Sequence, residues 1–180
     1  MCLSRKGFAS TTIGEVATEA GVSRGLLHYH FVSKEAMLAE VARDSGKLGS
    51  RLARELLRGC APDQDVAREL TLGFRRFIEA YPDYYHVFFE SWAVARQSGV
   101  VAAAMNTVYE DFRNALRDGL ADAVARGVVR PALPVPELSV LLTSILDGLG
   151  LQLTTQPELA TNEGVWRATE IGIRCALGSG

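Results

Sequence analysis

Cysteine and histidine are scarce in this chain, and neither falls in a pattern that chemistry could use. Cys2, Cys60 and Cys175 form an odd set with no CxxC pair and no Cys/His ligand spacing, so neither a disulfide framework nor a zinc site is expected. They read as buried or incidental thiols in a reducing compartment. His86 and Glu90 share a helix face at i, i+4 spacing but lack a third ligand, and no metal or cofactor is expected. Ser91, Ser98 and Ser144 have no plausible base. Gly148 and Gly150 sit inside an apolar helical pattern with no preceding strand, which excludes a dinucleotide loop. No catalytic residue emerges, and the chain is not expected to be an enzyme. No apolar run appears long enough to span a membrane and no leader is evident, so a cytoplasmic protein without a membrane partner is expected. There is no surplus of positive charge either: the net charge is −2, and any affinity for nucleic acid must be local.

Alternating β-branched runs are also missing, while apolar residues recur at i, i+3, i+4 almost throughout. The expected class is all-α. With 48% hydrophobic and 22% charged residues, the chain can bury a core and is not disordered. Helices are predicted over residues 13–20, 23–31, 33–57, 65–80, 84–97, 100–125, 137–154 and 164–177. Residues 128–136 contain three prolines and read as a connector. The composition shifts near Asp44, from short helices to longer ones with a heavy apolar load. This divides the chain into residues 1–45 and 46–180.

Residues 11–38 carry the most specific pattern. Thr12 with Glu15 makes a capping box, Gly21 ends the first short helix, Ser23 caps the second and Ser33 the third. This is the layout of a helix-turn-helix. At 100° per residue Leu27 and Phe31 share the inner edge of the second helix. Gly25, Leu26 and Tyr29 lie opposite, with Arg24 and His28 on one flank and Ser23 and His30 on the other. Such a surface suits the major groove of double-stranded DNA. Gly25 clears the approach to base edges, Leu26 can meet a thymine methyl, and Arg24 can donate to guanine. Tyr29, His30 and Lys34 suit phosphate oxygens. The amide end of the first short helix could hold another phosphate, aided by Thr11 and Thr12. A basic end, with Arg5, Lys6, Arg24 and Lys34 against Glu15 and Glu19, agrees with this. A generic polar helix face is the competing reading.

The string GFASTTIGEVATEAGVSRGLLHYHFVSKEAML closely resembles the signature of TetR-family transcriptional regulators. The matching positions are Gly7, Phe8, Thr11, Thr12, Ala17, Ala20, Gly21, Val22, Ser23, Gly25, Leu27, Tyr29, His30, Phe31, Ser33, Lys34 and Glu35. Many members have Tyr where this chain has His28, which leaves base contact, phosphate contact or neither open for that residue. Family members also begin with a longer helix ahead of the Gly-Phe, whereas Met1 to Lys6 precede it here. By that comparison most of the first helix is missing. Val16, Ala20, Leu27 and Phe31 would then lose cover, at about 1.5–3 kcal/mol for each large side chain left wet. Weak or absent operator binding is expected of the chain as written.

The remainder resembles the larger C-terminal domain of the same family, in its BetI-like branch, at YYHVFFESWAVAR and ILDGLGLQL. The resemblance implies a ligand-binding and dimerisation domain. Phe74, Phe77, Tyr81, Tyr85, Phe88, Phe89, Trp92, Met105, Tyr109 and Phe112 concentrate on three consecutive helices and could line an apolar pocket, core packing being the alternative for each. Glu90, Asp111 and Asp147 are candidates to meet a cationic ligand. Leu138, Leu142, Ile145, Leu149, Leu153, Trp166, Ile173 and Leu177 exceed what one core face needs, and a homodimer interface is expected there. The resulting function is a repressor that binds a near-palindromic operator as a dimer and is released by an unknown small-molecule effector. The alternative is a small-molecule-binding or interaction protein whose DNA binding is impaired by the short N-terminus.

Overall fold

A computed structural model describes residues 2–61 and 64–178; the side chains of Cys2 and Arg5 lie outside the described residues. Every regular element among them is helical: α1 Cys2–Ser10, α2 Ile13–Ala20, α3 Arg24–His30, α4 Lys34–Gly59, α5 Val66–Ala80, α6 Tyr84–Ala95, α7 Gly99–Ala125, α8 Val135–Thr155 and α9 Glu163–Leu177. A 3-10 turn, Pro157–Thr161, precedes α9 and was not anticipated. The class is all-α, with a helix-turn-helix followed by longer helices.

Local signals set the ends. Thr12 forms both halves of a capping box with Glu15, and Gly21 closes α2 at φ 67°, in the left-handed region that glycine occupies at little cost. Ser23, Ser33 and Asp65 each accept a backbone N–H at the start of α3, α4 and α5. Lys34–Gly59 and Gly99–Ala125 have no internal proline or cap and run on as the two longest helices.

The described chain forms two compact units, Met1–Gly46 with Pro82–Tyr109 and Lys47–Tyr81 with Glu110–Gly180. Pro82–Tyr109 thus belongs to the same compact unit as the N-terminal segment, although far from it in sequence. In the first unit Phe8, Met37, Leu38, Phe88, Val101 and Val108 are buried. A Cβ on Gly46 would stand 2.8 Å from both methyls of Val108, so α4 and α7 touch there because that residue has no side chain. In the second unit α5 packs on α9, tied by Arg75 to Glu163 at 2.8 Å and by Arg174 to Asp65. Burial alone would raise the Asp65 carboxyl. The Arg174 guanidinium and the amides of Arg68 and Ala67 outweigh it, and the carboxyl titrates below its ordinary range. Arg126 donates to Cys60 O at 2.6 Å and Leu57 O at 3.1 Å, closing the carbonyl end of α4. Burial, with help from Glu69, pushes the Cys60 thiol up, which leaves it protonated and unreactive.

Two expectations are corrected here. Leu138, Leu142, Leu149, Leu153, Trp166, Ile173 and Leu177, expected at a homodimer interface, are buried in the chain's own core. Of the expected dimer residues only Ile145 is partly exposed. The large apolar side chains of these two helices that do reach solvent are Val140, Leu141 and Leu151 on α8 and Ile171 on α9. Both helices are thus apolar on two faces. For the same reason α8, with mean hydropathy 1.3 over an 18-residue window, is long and apolar enough to cross a membrane by length and composition, contrary to the sequence reading. About 44% of that window is buried inside the fold.

Candidate functional site

The helix α3 has no buried residue. Ser23 Oγ accepts the Leu26 amide at 3.1 Å to start it, and Phe31 ends it by turning extended at φ −125°. Leu27 and Phe31 are half-buried, as an inner edge should be, while Arg24, Gly25, Leu26, His28, Tyr29 and His30 are exposed. Tyr29 is 83% exposed, with the His30 ring edge-on at 5.2 Å. Arg24 makes no ion pair among the described residues, and its Nε would lie 3.7 Å from a Cβ on Gly14.

The flanks differ from the sequence reading. Thr11 is buried, and its hydroxyl donates to Gly7 O at 2.7 Å, so it faces inward rather than toward phosphate. The Thr12 amide and hydroxyl both donate to Glu15 Oε2, at 2.9 and 3.0 Å. A carboxylate thus already occupies the amide end of α2, where a phosphate had been expected. Lys6 pairs with Glu15 at 2.7 Å. Together Lys6 and the Thr12 backbone and hydroxyl hold the Glu15 carboxyl down to about 2, from an ordinary 4.5. Lys34 is committed elsewhere too: its ammonium donates to Phe8 O at 2.7 Å, Thr11 O at 3.0 Å and Ala9 O at 3.5 Å, and lies 4.2 Å over the Phe8 ring. Three carbonyls take the three donors of an ammonium, so Lys34 has none to spare for DNA.

Ahead of α2, α1 bends sharply at Gly7, φ 72° and ψ 166°, and the Phe8 amide donates to the Glu90 carboxylate of α6. Glu90 is therefore engaged within the fold rather than waiting for a cationic ligand.

The expected pocket residues fall into separate surroundings. Tyr85, Phe88, Phe89 and Tyr109 interlock in the first unit, with ring centroids 5.3–5.8 Å apart along the chain of contacts, and Met105 is buried. Trp92 is instead 52% exposed, on the rim of a surface hollow of about 440 Å³ with Ala93, Arg96 and Gln97. In the second unit Phe74 meets Trp166 edge-on at 6.3 Å, and Phe112 is half-buried. Phe77 and Tyr81, 5.2 Å apart, flank an open groove of about 560 Å³ with Leu52, Leu56 and Cys60 at its sides. No cluster of three His, Cys, Asp or Glu suited to a metal occurs among the described residues.

Two family descriptions match this chain: bacterial regulatory proteins of the tetR family over residues 1–41, and the C-terminal part of BetI-type transcriptional repressors over residues 78–175. The second spans more than half of the chain. This chain belongs to the tetR family.

Among relatives, the HTH-type transcriptional repressor Rv1474c of Mycobacterium tuberculosis is 28% identical over 161 residues, covering 86% of this chain and 77% of that protein. The uncharacterized HTH-type regulator YerO of Bacillus subtilis is 57% identical over 35 residues, but that match covers 19% of this chain and only 12% of YerO. The solved structure of Salmonella enterica GusR superposes with a TM-score of 0.79 at 22% identity, over 98% of this chain and 90% of that one, which is agreement in fold. This TetR-family chain is a DNA-binding transcriptional regulator related to repressors.

Proposed function

We propose that this regulator is a ligand-responsive repressor, working in the cytoplasm without turnover, that binds a near-palindromic operator as a homodimer and leaves it when a small molecule binds the body. The carrying observation is α3. Its whole outer surface, Arg24 to His30, is turned to solvent, while nothing in its own fold explains Gly25. A Cβ on Gly25 would meet only Ser23 Oγ, at 3.9 Å, so the chain's own packing does not call for glycine there. Close approach of a base edge does. Arg24 is placed to read bases, and Tyr29 and His30 to reach the backbone on either side.

Pairing is supported by the exposed side chains of Val140, Leu141, Leu151 and Ile171, which one copy leaves wet and a second would cover. Two reading helices would then enter major grooves about one or more helical turns apart. The open groove of about 560 Å³ flanked by Phe77 and Tyr81 supports an effector site in the body, with aromatic side chains on its wall.

The test starts from a random duplex library. DNA recovered by the purified protein should converge on an inverted repeat, bound by two copies as judged by sedimentation. An effector that releases this DNA must bind more weakly, by the same factor, to the DNA-bound protein. Recovery of no consensus at low salt would overturn the proposal and leave a ligand-binding chain that does not read DNA.

A further inference from the structure

The segment Phe8 to Thr11 is held at both ends by charges that come from other helices. At Gly7 the backbone takes φ 72° and ψ 166°, a region that only glycine enters without strain. The bend breaks α1, and the turn that resumes at Phe8 starts with amides that have lost their intrahelical partners. Ordinarily the side chain of the preceding residue would cap that turn. Gly7 has none, and a Cβ there would stand 3.3 Å from Glu90 Oε1. The Glu90 carboxylate of α6 fills the vacant role and accepts the Phe8 amide. At the carbonyl end, Lys34 of α4 collects Phe8 O and Thr11 O at 2.7 and 3.0 Å. Thr11 ties back through its hydroxyl to Gly7 O at 2.7 Å. An anion at the amide end and a cation at the carbonyl end both follow the dipole of the turn.

We propose that Glu90 is a positioning residue for DNA binding: by capping the Phe8–Thr11 turn from α6, it fixes the orientation from which α2 and α3 address the operator. Thr12, the cap of α2, follows this turn directly, so its position inherits whatever Glu90 and Lys34 impose. Ser91, next to Glu90, is fully buried with its hydroxyl on Val87 O at 2.7 Å. Phe88 and Phe89 sit in the ring cluster, so α6 cannot turn freely and the carboxylate is presented at a defined place. The inference rests on α3 being the reading helix, as proposed above.

Two measurements test it separately. The first is hydrogen exchange at the Phe8 amide of the full chain, without DNA. That amide should exchange as slowly as the interior of α6 in the native protein, faster in Glu90→Ala, and in between in Glu90→Gln, which keeps an acceptor but loses its charge. The second is the affinity ratio between selected operator and scrambled duplex of the same length. It should fall about tenfold in Glu90→Ala, the worth of one charge-assisted hydrogen bond. Glu90→Gln should recover part of it, and Glu110→Ala, a substitution on the exposed face of α7, should leave it unchanged. Loss of general stability alone would weaken both duplexes equally and leave the ratio intact. Fast exchange at Phe8 in the native chain overturns the capping role even if Glu90→Ala fails to fold. Slow exchange with an unchanged ratio in Glu90→Gln and a folded Glu90→Ala overturns the positioning role. Failure of the native chain to select any DNA sinks the reading-helix proposal instead and overturns positioning with it, while the Phe8 exchange rate still decides the cap.

Discussion

Single side chains decide what α3 can present, and Lys34 shows how easily their roles are misread. In the sequence it is a cation beside a reading helix, and phosphate is the natural partner. In the fold it spends its donors on three backbone carbonyls. One signal was available: Lys34 opens α4, where the helix dipole disfavours a cation, so acceptors from elsewhere in the fold had to compensate. Lys34→Ala should therefore cost about 1.5–3 kcal/mol of stability, read as a lower urea midpoint, while the slope of log affinity against log salt for operator DNA stays that of the native protein. A slope shallower by about one would return Lys34 to the phosphate contacts. Arg24→Ala should behave in the opposite way. Stability should hold, while discrimination at one operator position falls by about 1–3 kcal/mol, measured by competition with single-base operator variants. The exposed residues of α3 were legible because helical phase alone separates Leu27 and Phe31 from the rest. Thr11 was not, since a hydroxyl looks the same in sequence whether it faces phosphate or a carbonyl.

Helices are governed by their ends and by where they touch. The α2 cap titrates: Glu15 has its carboxyl drawn down to about 2 by Lys6 first, then by the Thr12 backbone and hydroxyl. A carboxyl lowered in the folded state stabilises the fold above its ordinary 4.5, and that contribution is lost as pH falls from there toward 2. The thermal midpoint should decline over this window, and Glu15→Gln should remove part of the decline. An identical pH profile in the variant would show that the cap does not matter to stability. Caps such as Thr12, Ser23, Ser33 and Gly21 were readable because their chemistry is local. Crossings were not. Gly119 lies under Leu57, where an added Cβ would come within 2.7–2.8 Å of two of its carbons, and Leu57 is fully buried. Alanine gains about 1 kcal/mol of helix propensity over glycine, but overpacking costs about 1–3 kcal/mol. Gly119→Ala should therefore lower the unfolding midpoint; a higher midpoint would mean that α4 yields at this crossing.

At the scale of the whole molecule the instructive residues are those of α8 and α9. Their apolar content was plain in the sequence and pointed to pairing, but the residues expected to pair lie in the chain's own core. A helix apolar on two faces gives no clue which face the core claims, and leucines fell on both sides: Leu138, Leu142, Leu149 and Leu153 inward, Leu141 and Leu151 outward. Leu138→Ala should cost about 2–5 kcal/mol, seen in thermal melts of any assembly state. Leu141→Lys should leave each copy folded and shift sedimentation to the monomer. A Leu141→Lys protein that still sediments as a dimer would remove these residues from the interface. The fold class and the exposed face of α3 were thus open to inspection from periodicity and caps, whereas the inner and outer faces of α8 and α9 depended on tertiary competition that periodicity does not encode. The exposed apolar side chains have a further consequence for the cell. On the proposed pairing, every newly made copy must find another before its outer α8 face is safe, so gene dosage enters the function twice. Halving the number of copies lowers both the supply of operator binders and the fraction that is paired. Silencing should thus fade faster than in proportion to the amount of protein made.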